Sequence, residues 1–562
     1  MVEATGRLLL RSIRLSGGYG FLLAVCCVAG AGAELALPAT LGRAVDAALD
    51  RSRAPRWLIV VAALVVVIAT ADLLTQLASG AGAARATARL RQALLRRVFA
   101  LAPSTASRYP VGDLVARVVG QAADAGQAAN AAVLGVASVL PSLGSLVALT
   151  LIDPWLGGTF IVGLALLTVL MRGFVADASA AATGYQRTLG AIAGRLLEAV
   201  SGARTIAAAG TVEAEIDRVL RPLSTLHRHG MATWTAVAKA AARSVLLAPL
   251  IQIAVIGVGG LLLAAGRLTP GQLFAAMQYA ALGAGLGAVV ATLNRLVRTR
   301  TGCQRVAEVL SEEPTPYGER ELPAGPGTLA LHGVVVRTGE RTLLDRVELT
   351  VPGGATVAVV GGSGAGKSVL AAVAGRLRDP DEGEVLLDGV PLAELSAAEL
   401  RAAIGYGFER PVLIGADLGE VIGLGHPGAD DASVRAAART AAIDGYVRRL
   451  PDGYRTRLAD APMSGGEAQR LGVARALWGQ RLLVLDDASS SVDSVTEEQL
   501  GRALTRHTES RTRLVVTHRA ATAARADLVA WLDRGRLRGL GPHDVLWCDP
   551  DYRAVFATGA TP

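Results

Sequence analysis

One lysine of this chain stands where a phosphate-binding loop requires it. Lys239 and Lys367 are the only lysines among 56 residues that are lysine or arginine. Glycines let backbone N–H groups surround phosphate oxygens, and an ammonium group is suited to the β- and γ-phosphates of ATP. A hydroxyl directly after the lysine is suited to Mg²⁺. All these features occur in one run that fits the pattern G-x-x-x-x-G-K-[ST], namely Gly361, Gly362, Ser363, Gly364, Ala365, Gly366, Lys367 and Ser368.

Two adjacent acids follow an apolar run further along the chain. Leu482–Leu485 predicts a buried strand that ends in Asp486 and Asp487. A carboxylate at the end of such a strand is suited to hold Mg²⁺ beside a phosphate loop. A second carboxylate next to it is suited to orient or deprotonate the attacking water. We therefore expect Asp486 to bind the metal and Asp487 to act as the catalytic base.

Two further motifs lie in the same half of the chain. Ser464, Gly465 and Gly466 precede a helical stretch at 468–479, and their N–H and hydroxyl groups are suited to a second phosphate cradle. His518 follows a predicted strand and lies 32 residues after Asp486. We expect His518 to contact the γ-phosphate.

The elements that position these residues divide the chain into two parts. From about residue 328, apolar strands such as Thr356–Val360 alternate with helical patterns such as Val369–Gly375, which predicts an α/β domain over 328–562. The chain as a whole is 51% hydrophobic with a mean hydropathy of +0.41, which excludes an ordinary soluble protein. The segment 311–327 is rich in proline, glycine and charge, and it predicts a linker.

The first 310 residues contain six candidate membrane spans. A helix needs about 20 apolar residues to cross a bilayer. Two spans carry one acid each, Glu34 or Asp72, and acids inside a bilayer are candidates for a substrate cavity. The alternatives place Glu34 near the outer boundary and Asp72 at a helix interface. The six spans lie near 18–41 and 57–81 and within the uncharged stretches 125–152, 154–171, 244–266 and 268–294.

The arginines indicate the orientation of these spans. The segment 85–124 holds seven arginines and 172–243 holds eight, whereas the loops near 153 and 267 hold none and one. The positive-inside rule therefore places both termini and the α/β domain in the cytoplasm. Because much of the charge of +8 lies beside apolar spans, it indicates membrane lipid and no nucleic-acid partner. The heavy use of alanine, glycine and arginine suggests a GC-rich bacterial genome, so we expect the spans to lie in a bacterial plasma membrane.

The order of the motifs resembles that of ATP-binding cassette exporters. Met463–Glu467 stands where the family has LSGGQ, and Ser490–Asp493 is similar to its dimer-contact loop. The resemblance covers essentially all 562 residues. It implies a membrane all-α six-helix transmembrane domain (1–310) followed by an α/β P-loop NTPase nucleotide-binding domain. It also implies that two chains pair and enclose ATP between the phosphate loop of one chain and the serine–glycine motif of the other.

Several positions depart from the family pattern. Asp487 replaces a glutamate and is one methylene shorter, which predicts impaired turnover at this site. Glu409 replaces the glutamine that follows the predicted strand Ile404–Phe408, and we expect it at the metal with a catalytic role. The adenine-stacking tyrosine would fall near Thr338, where Arg337 is a candidate replacement.

A shortened base is a usual mark of the weakened ATP site in exporters built from two different chains. The resemblance therefore favours a heterodimer, and a slow but active homodimer is the alternative. The leading hypothesis is export of a small hydrophobic or amphipathic compound, such as a peptide, drug or secondary metabolite. The alternatives are an ATP-binding regulatory subunit with little hydrolysis and an importer of a metal chelate.

Overall fold

The structure is a computed structural model of the whole chain. It describes residues 2–557 apart from 51–53, 107, 284–286, 427, 493 and 508–510. Further side chains lie outside the described set, at 2–5, 54, 104, 167–183, 186, 236–237, 240–241, 243–248, 287–294, 494 and 505–507. The chain divides into two compact units, one of Met1–Phe99 with Pro110–Glu313 and one of Ala100–Tyr109 with Pro314–Pro562.

The first part of the chain is helical. Residues Arg117–Gln121 form a π-helical turn between α5 and α6. The helices are α1 (Val2–Leu15), α2 (Gly18–Leu49), α3 (Ala54–Ala100), α4 (Pro103–Ala106), α5 (Val111–Ala116), α6 (Ala122–Gly126), α7 (Ala128–Ala137), α8 (Leu140–Ile152), α9 (Pro154–Ser201), α10 (Ala203–Ala209), α11 (Val212–Leu220), α12 (Leu223–Ala264), α13 (Pro270–Gly283) and α14 (Gly287–Ser311).

Where the structure describes the predicted spans, they are largely helical. Within the described residues, three helical segments are long and apolar enough to cross a membrane: Gly18–Leu49, Pro55–Ala100 and Val111–Ile152. The other predicted spans lie on α9, α12 and α13–α14, parts of which are outside the described set. At 47 residues, α3 is about 70 Å long, more than twice the roughly 30 Å apolar core of a bilayer. Helix α3 is therefore too long to lie wholly within that apolar core.

Two acidic side chains of this helical unit cap helices and contact residues that are distant in sequence. Asp46 at the end of α2 accepts from the backbone N–H of Gly271 (2.8 Å) and from the hydroxyl of Thr269 (2.6 Å), so it caps α13. A Cβ on Gly42 would lie 2.4 Å from the Gly271 carbonyl oxygen, so the backbones of α2 and α13 touch. Asp153 caps α9 and pairs with Arg267 at 2.6 Å.

Arg117, in the π-helical turn after α5, is buried. Its guanidinium lies 2.7 Å from the Asp113 carboxylate and 2.9 Å from that of Glu308, and it donates to the Arg305 carbonyl at 2.6 Å. The network joins the segment after α4 to the end of α14.

The second part of the chain combines sheets and helices. Its strands are β1 (Leu329–Thr338), β2 (Arg341–Val351), β3 (Thr356–Val360), β4 (Glu382–Leu387), β5 (Val390–Pro391), β6 (Ile404–Gly407), β7 (Leu482–Asp486), β8 (Thr512–Val516), β9 (Leu528–Asp533) and β10 (Arg536–Gly541). Its helices are α15 (Lys367–Ala374), α16 (Ala397–Ala403), α17 (Leu418–Gly423), α18 (Asp431–Thr440), α19 (Asp444–Val447), α20 (Gly465–Ala476), α21 (Ser494–His507), α22 (Ala520–Ala523), α23 (His543–Leu546) and α24 (Pro550–Ala557).

The sheet order brings the predicted motifs to one edge. Six strands have the order β10-β9-β3-β8-β7-β6, in which β10 pairs antiparallel and the other pairs are parallel. A second, antiparallel sheet has the order β2-β1-β4-β5. Ligands of such sheets bind at the carboxyl ends of the parallel strands. The phosphate loop follows β3, Glu409 follows β6, Asp487 follows β7 and His518 follows β8.

The strands are apolar on both faces because helices cover the parallel sheet. Val357, Val359, Val484 and Leu514 are buried in the core between the sheet and α15. The α/β class predicted for this part is confirmed. The exact limits at 310 and 328 stay predictions, although α14 ends at Ser311 and β1 begins at Leu329.

Candidate nucleotide-binding site

The phosphate loop is a tight turn between β3 and α15. A Cβ on Gly361 would lie 2.2 Å from the Leu532 carbonyl oxygen, so no larger residue fits there. Gly366 has φ of 102°, a left-handed conformation that L side chains rarely adopt. Backbone N–H groups at the start of α15 are left for a ligand because the first turn of a helix has no internal acceptors for them. The geometry suits phosphate oxygens.

Lys367 lies across this loop. Its ammonium donates to the carbonyl oxygens of Gly361 (2.9 Å) and Gly362 (3.0 Å). Burial lowers the pKa of Lys367, and the charges of Asp487 and Asp486 oppose that shift. The two acids therefore lie close enough to Lys367 to interact with it, as the sequence predicts for one site.

Asp486, the last residue of β7, has the character of a metal ligand. Its carboxylate lies near the Ser368 hydroxyl, and its Oδ2 lies 3.5 Å from the Tyr406 hydroxyl. Burial, and then the charges of Asp487 and Glu409, raise its pKa, and the hydrogen bonds partly offset this. Among the described residues, its second oxygen, Oδ1, is buried without a hydrogen-bond partner. An orphaned carboxylate oxygen beside a serine hydroxyl fits Mg²⁺, which prefers oxygen ligands.

Asp487 and His518 form a pair. Asp487 Oδ1 lies 3.2 Å from His518 Nδ1, and the side chain of Asp487 is 22% exposed against 49% for His518. The backbone of Asp487 has φ of 47°. Aspartate is tolerated in this left-handed region better than most residues, and strained backbone of this kind often occurs at functional sites.

Glu409 lies beside the same acids. It follows β6, which ends at Gly407, one residue before the predicted Phe408. Phe408 instead packs on Tyr406, with ring centroids 4.5 Å apart. The Glu409 carboxylate acts on the pKa of Asp486 and lies 3.8 Å from Arg410 Nε. The structure thus brings Ser368, Asp486 and Glu409 together, the three residues proposed from sequence to hold a metal.

Ser464 lies at the start of α20 and makes no described hydrogen bond to the phosphate loop that contains Lys367. Helix α20 starts three residues earlier than predicted and ends at Ala476, since Ser464 is its N-cap. Glu467 Oε2 accepts from the Ser464 N–H and hydroxyl, both at 2.7 Å, and Ser464 Oγ accepts from the Glu467 N–H. Among the described hydrogen bonds, none joins Ser464, Gly465 or Gly466 to the phosphate loop. Ser464 and Gly465 are exposed.

Some residues of this region were not predicted from sequence. Tyr406 packs against Asp486, and burial followed by the charge of Asp486 raises its pKa. Gln469 and Arg519 make contacts that link separate loops. The candidate adenine partner, Arg337, pairs with Glu382 at 2.6 Å. Asp493, the last residue of the predicted dimer-contact loop, lies outside the described residues.

Comparisons with known proteins agree with this arrangement. Family models match at residues 344–490, as "ABC transporter", and at 21–284, as "ABC transporter transmembrane region". The chain is 49% identical over 540 residues to the ABC transporter ATP-binding protein RamA of Streptomyces coelicolor, covering 96% of this chain and 85% of that one. It is 32% identical over 385 residues to the ATP-dependent lipid A-core flippase of Chromohalobacter salexigens, covering 66% and 65%.

Two further comparisons concern a longer relative and the fold. The multidrug efflux ATP-binding/permease protein Rv0194 of Mycobacterium tuberculosis is 33% identical over 467 residues, which span 80% of this chain and 38% of that one. The structure of a bacterial Atm1-family ABC exporter with ATP bound aligns with a TM-score of 0.80 at 24% identity, covering 98% of this chain and 100% of that one. That likeness shows the fold.

Fold and site together define an exporter-type ATP-binding cassette protein with its transmembrane and nucleotide-binding regions in one chain. The chain belongs to the ABC transporter family. It is a membrane protein that binds ATP and has the domain of a transport-coupled ATPase. The family resemblance inferred from the motifs is confirmed.

Proposed function

We propose that this chain is the subunit with the weakened ATP site in a paired exporter of a small hydrophobic or amphipathic compound. The observation that carries the proposal is Asp487, which stands at the base position with a short side chain held 3.2 Å from His518. A base must come within about 2.6–3.2 Å of its water, so a carboxylate one methylene short is poorly placed.

The residues of the site have separable roles in this proposal. Lys367 and the loop from Gly361 to Ser368 bind the β- and γ-phosphates. Ser368, Asp486 and Glu409 would hold Mg²⁺, which would neutralise charge on the phosphate oxygens. Asp487 orients water, and His518 contacts the γ-phosphate and holds Asp487. Two observations support these assignments. Asp486 Oδ1 is buried without a hydrogen-bond partner among the described residues, and the assigned residues follow the carboxyl ends of neighbouring parallel strands.

The second half of each ATP site comes from another chain. Ser464 and Gly465 are exposed at the start of α20, as expected for groups that meet the partner's nucleotide. A heterodimer is favoured because Asp487, Glu409 and Glu467 all depart from the family pattern in one chain. The competent site would then use Ser464 of this chain and the partner's phosphate loop.

ATP drives the cycle as a ligand of the closed pair. It shifts the equilibrium only as far as it binds the closed state more tightly than the open state. We place the chain in the bacterial plasma membrane with both termini and the nucleotide-binding domain in the cytoplasm, which the arginine distribution supports.

The cargo is inferred from chemistry and from relatives. The predicted spans have few charges, and aromatic residues make up 4% of the chain, so the spans favour apolar contacts without an aromatic cage. Two relatives are named for multidrug efflux and for flipping of lipid A-core, which supports a cargo of this class. A peptide, a drug or a secondary metabolite fits this class.

An ATP-binding regulatory subunit with little hydrolysis is the second candidate, because the same departures that weaken the site also favour it. Inside-out vesicles that contain this chain and a co-expressed partner half-transporter separate the two. We expect ATP-dependent accumulation of the amphipathic dye doxorubicin, abolished by Lys367→Ala and unchanged by Lys239→Ala. Transport that survives Lys367→Ala would contradict the need for ATP at this site. ATP-dependent loss of preloaded dye would indicate import, and bound ATP without transport would favour the regulatory role.

A further inference from the structure

Gln469 is a buried amide in the helix that begins at Ser464. It lies in the second turn of α20, and its side chain is 3% exposed. A buried amide must find partners, because an unpaired polar group away from water is costly. The partners of Gln469 all lie outside its own helix.

Three hydrogen bonds place this amide between two loops. Nε2 donates to the carbonyl oxygen of Glu409 (2.7 Å) and to the hydroxyl of Ser490 (2.8 Å). Oε1 accepts from the backbone N–H of Ser491 at 2.8 Å. Both donor hydrogens are therefore used, and the contact with the Ser491 N–H requires the oxygen on that side.

The two loops are those that carry the acids of the site. Glu409 acts on Asp486, the proposed metal ligand. Ser490 and Ser491 follow Asp487 by three and four residues, and the Ser490 N–H donates to the Asp487 carbonyl at 3.1 Å. The Gln469 side chain thus holds both the backbone at Glu409 and the loop that follows Asp487.

The loop at Ser490–Val492 is also held by Arg519, the residue after His518. Arg519 donates to the carbonyl oxygens of Ser490 (3.4 Å) and Val492 (3.2 Å) and pairs with Glu497 of α21. The segment Ser490–Val492 therefore lies between Gln469 and Arg519. With one side fixed by Arg519, a displacement of α20 acts on the loop through the Gln469 amide.

We propose that Gln469 is a positioning residue that couples the serine–glycine end of α20 to the Glu409 loop and to the Ser490–Val492 loop. When ATP closes the pair on Ser464, the displacement of α20 reaches the Glu409 loop through Nε2 and the loop after Asp487 through both ends of the amide. This inference rests on the proposed ATP-driven function. Gln469 touches no substrate itself.

Two substitutions of Gln469 distinguish the contributions of its three hydrogen bonds. Gln469→Glu keeps an acceptor for the Ser491 N–H, and the Ser490 hydroxyl turns to donate to it, but no hydrogen remains for the Glu409 carbonyl. Gln469→Leu removes all three bonds. Gln480→Glu and Gln480→Leu are matched controls, since Gln480 is exposed just beyond the same helix.

Hydrogen exchange by mass spectrometry measures the coupling in the full chain, co-purified with a partner half-transporter in lipid nanodiscs, with and without Mg-ATP. In the wild type we expect ATP to slow exchange at 362–368, at 408–410 and at 490–492. In Gln469→Glu the ATP response at 408–410 is lost while that at 490–492 remains, and in Gln469→Leu both are lost. The Kd for ATP stays within about threefold of wild type in both variants, less than 1 kcal/mol.

The outcomes are distinct. If Gln469 only filled the core, its substitution would change thermal stability, and the ATP responses at 408–410 and 490–492 would be kept or lost together. That result would contradict the inference. A wild-type response at 408–410 in both variants, or no response there in the wild type, overturns the inference. Should ATP protect no part of 362–368 in the wild type, the proposed ATP-driven function itself fails.

Discussion

Lengthening Asp487 by one methylene is expected to restore turnover. In the structure the carboxylate reaches His518 Nδ1 at 3.2 Å. Glutamate carries the carboxylate up to about 1.5 Å further, one carbon–carbon bond. Misplacement of a reacting group by about 1 Å costs on the order of 10²-fold in rate, and a well-placed base contributes about 10²–10⁴-fold. Asp487→Glu should therefore raise kcat by about 10–100-fold, or about 1.4–2.7 kcal/mol in activation free energy.

The backbone limits how much of that gain appears. Asp487 has φ of 47°, where glutamate is less favoured than aspartate. The left-handed conformation costs an ordinary L-residue about 1–2 kcal/mol. We therefore expect a lower melting temperature together with the faster rate. A change in rate without this loss of stability would mean that the backbone had rearranged.

The assay is release of phosphate by the purified chain in nanodiscs at saturating Mg-ATP. Asp533→Glu, at the end of β9 in the same sheet, controls for the added methylene. Asp487→Asn removes the base and should leave the rate at that of Lys367→Ala. An Asp487→Glu rate equal to that of the wild type would refute Asp487 as the base.

Three other substitutions test separate parts of the site. Lys367→Ala removes a cation suited to two phosphate contacts of about 1.5–3 kcal/mol each, so ATP affinity by equilibrium binding should fall at least about 10²-fold, whereas Lys239→Ala leaves it unchanged. Asp486→Asn should raise the melting temperature without ligand by about 2–4 °C at pH 7, if its charge costs about 1 kcal/mol, and abolish the added stability from Mg-ATP; no thermal shift would contradict the burial argument. The sign follows from linkage: the raised folded pKa of Asp486 gives stability that is full below the unfolded pKa and lost as pH rises through the folded pKa, so the advantage of asparagine should vanish in acid. Glu467→Gln keeps the acceptor for the Ser464 N–H but removes a negative charge beside the expected phosphate; the ATP concentration for half-maximal association of labelled chains should fall about fivefold, about 1 kcal/mol, and an increase would contradict the repulsion.

The parts of the fold set by local pattern were predictable from sequence. The phosphate loop and β3 follow from glycine spacing and an apolar run, and the structure places them as predicted. Helix α10 ends at Gly210, whose φ of 67° fits a helix stop that glycine favours.

Features that depend on distant contacts were not predictable. Asp46 caps a helix 225 residues away, and its own surroundings in sequence give no sign of it. Gln469 acts on loops 60 and 21 residues away, which only the tertiary structure brings together. The left-handed backbone of Asp487 is likewise set by the turn after β7, and it adds a conformational reason for aspartate that the comparison with the family pattern did not suggest.

The decisive measurement is the ATPase rate of the wild-type chain purified alone in lipid nanodiscs, with Lys367→Ala as the background and bound nucleotide measured in parallel. We expect bound ATP with turnover close to that of Lys367→Ala, and a rate that appears when a partner half-transporter is co-purified. Turnover of the chain alone that depends on Lys367 and reaches about 1–10 s⁻¹, ordinary values for an enzyme, would contradict it. In that case Asp487 suffices as the base and the chain is a working homodimer.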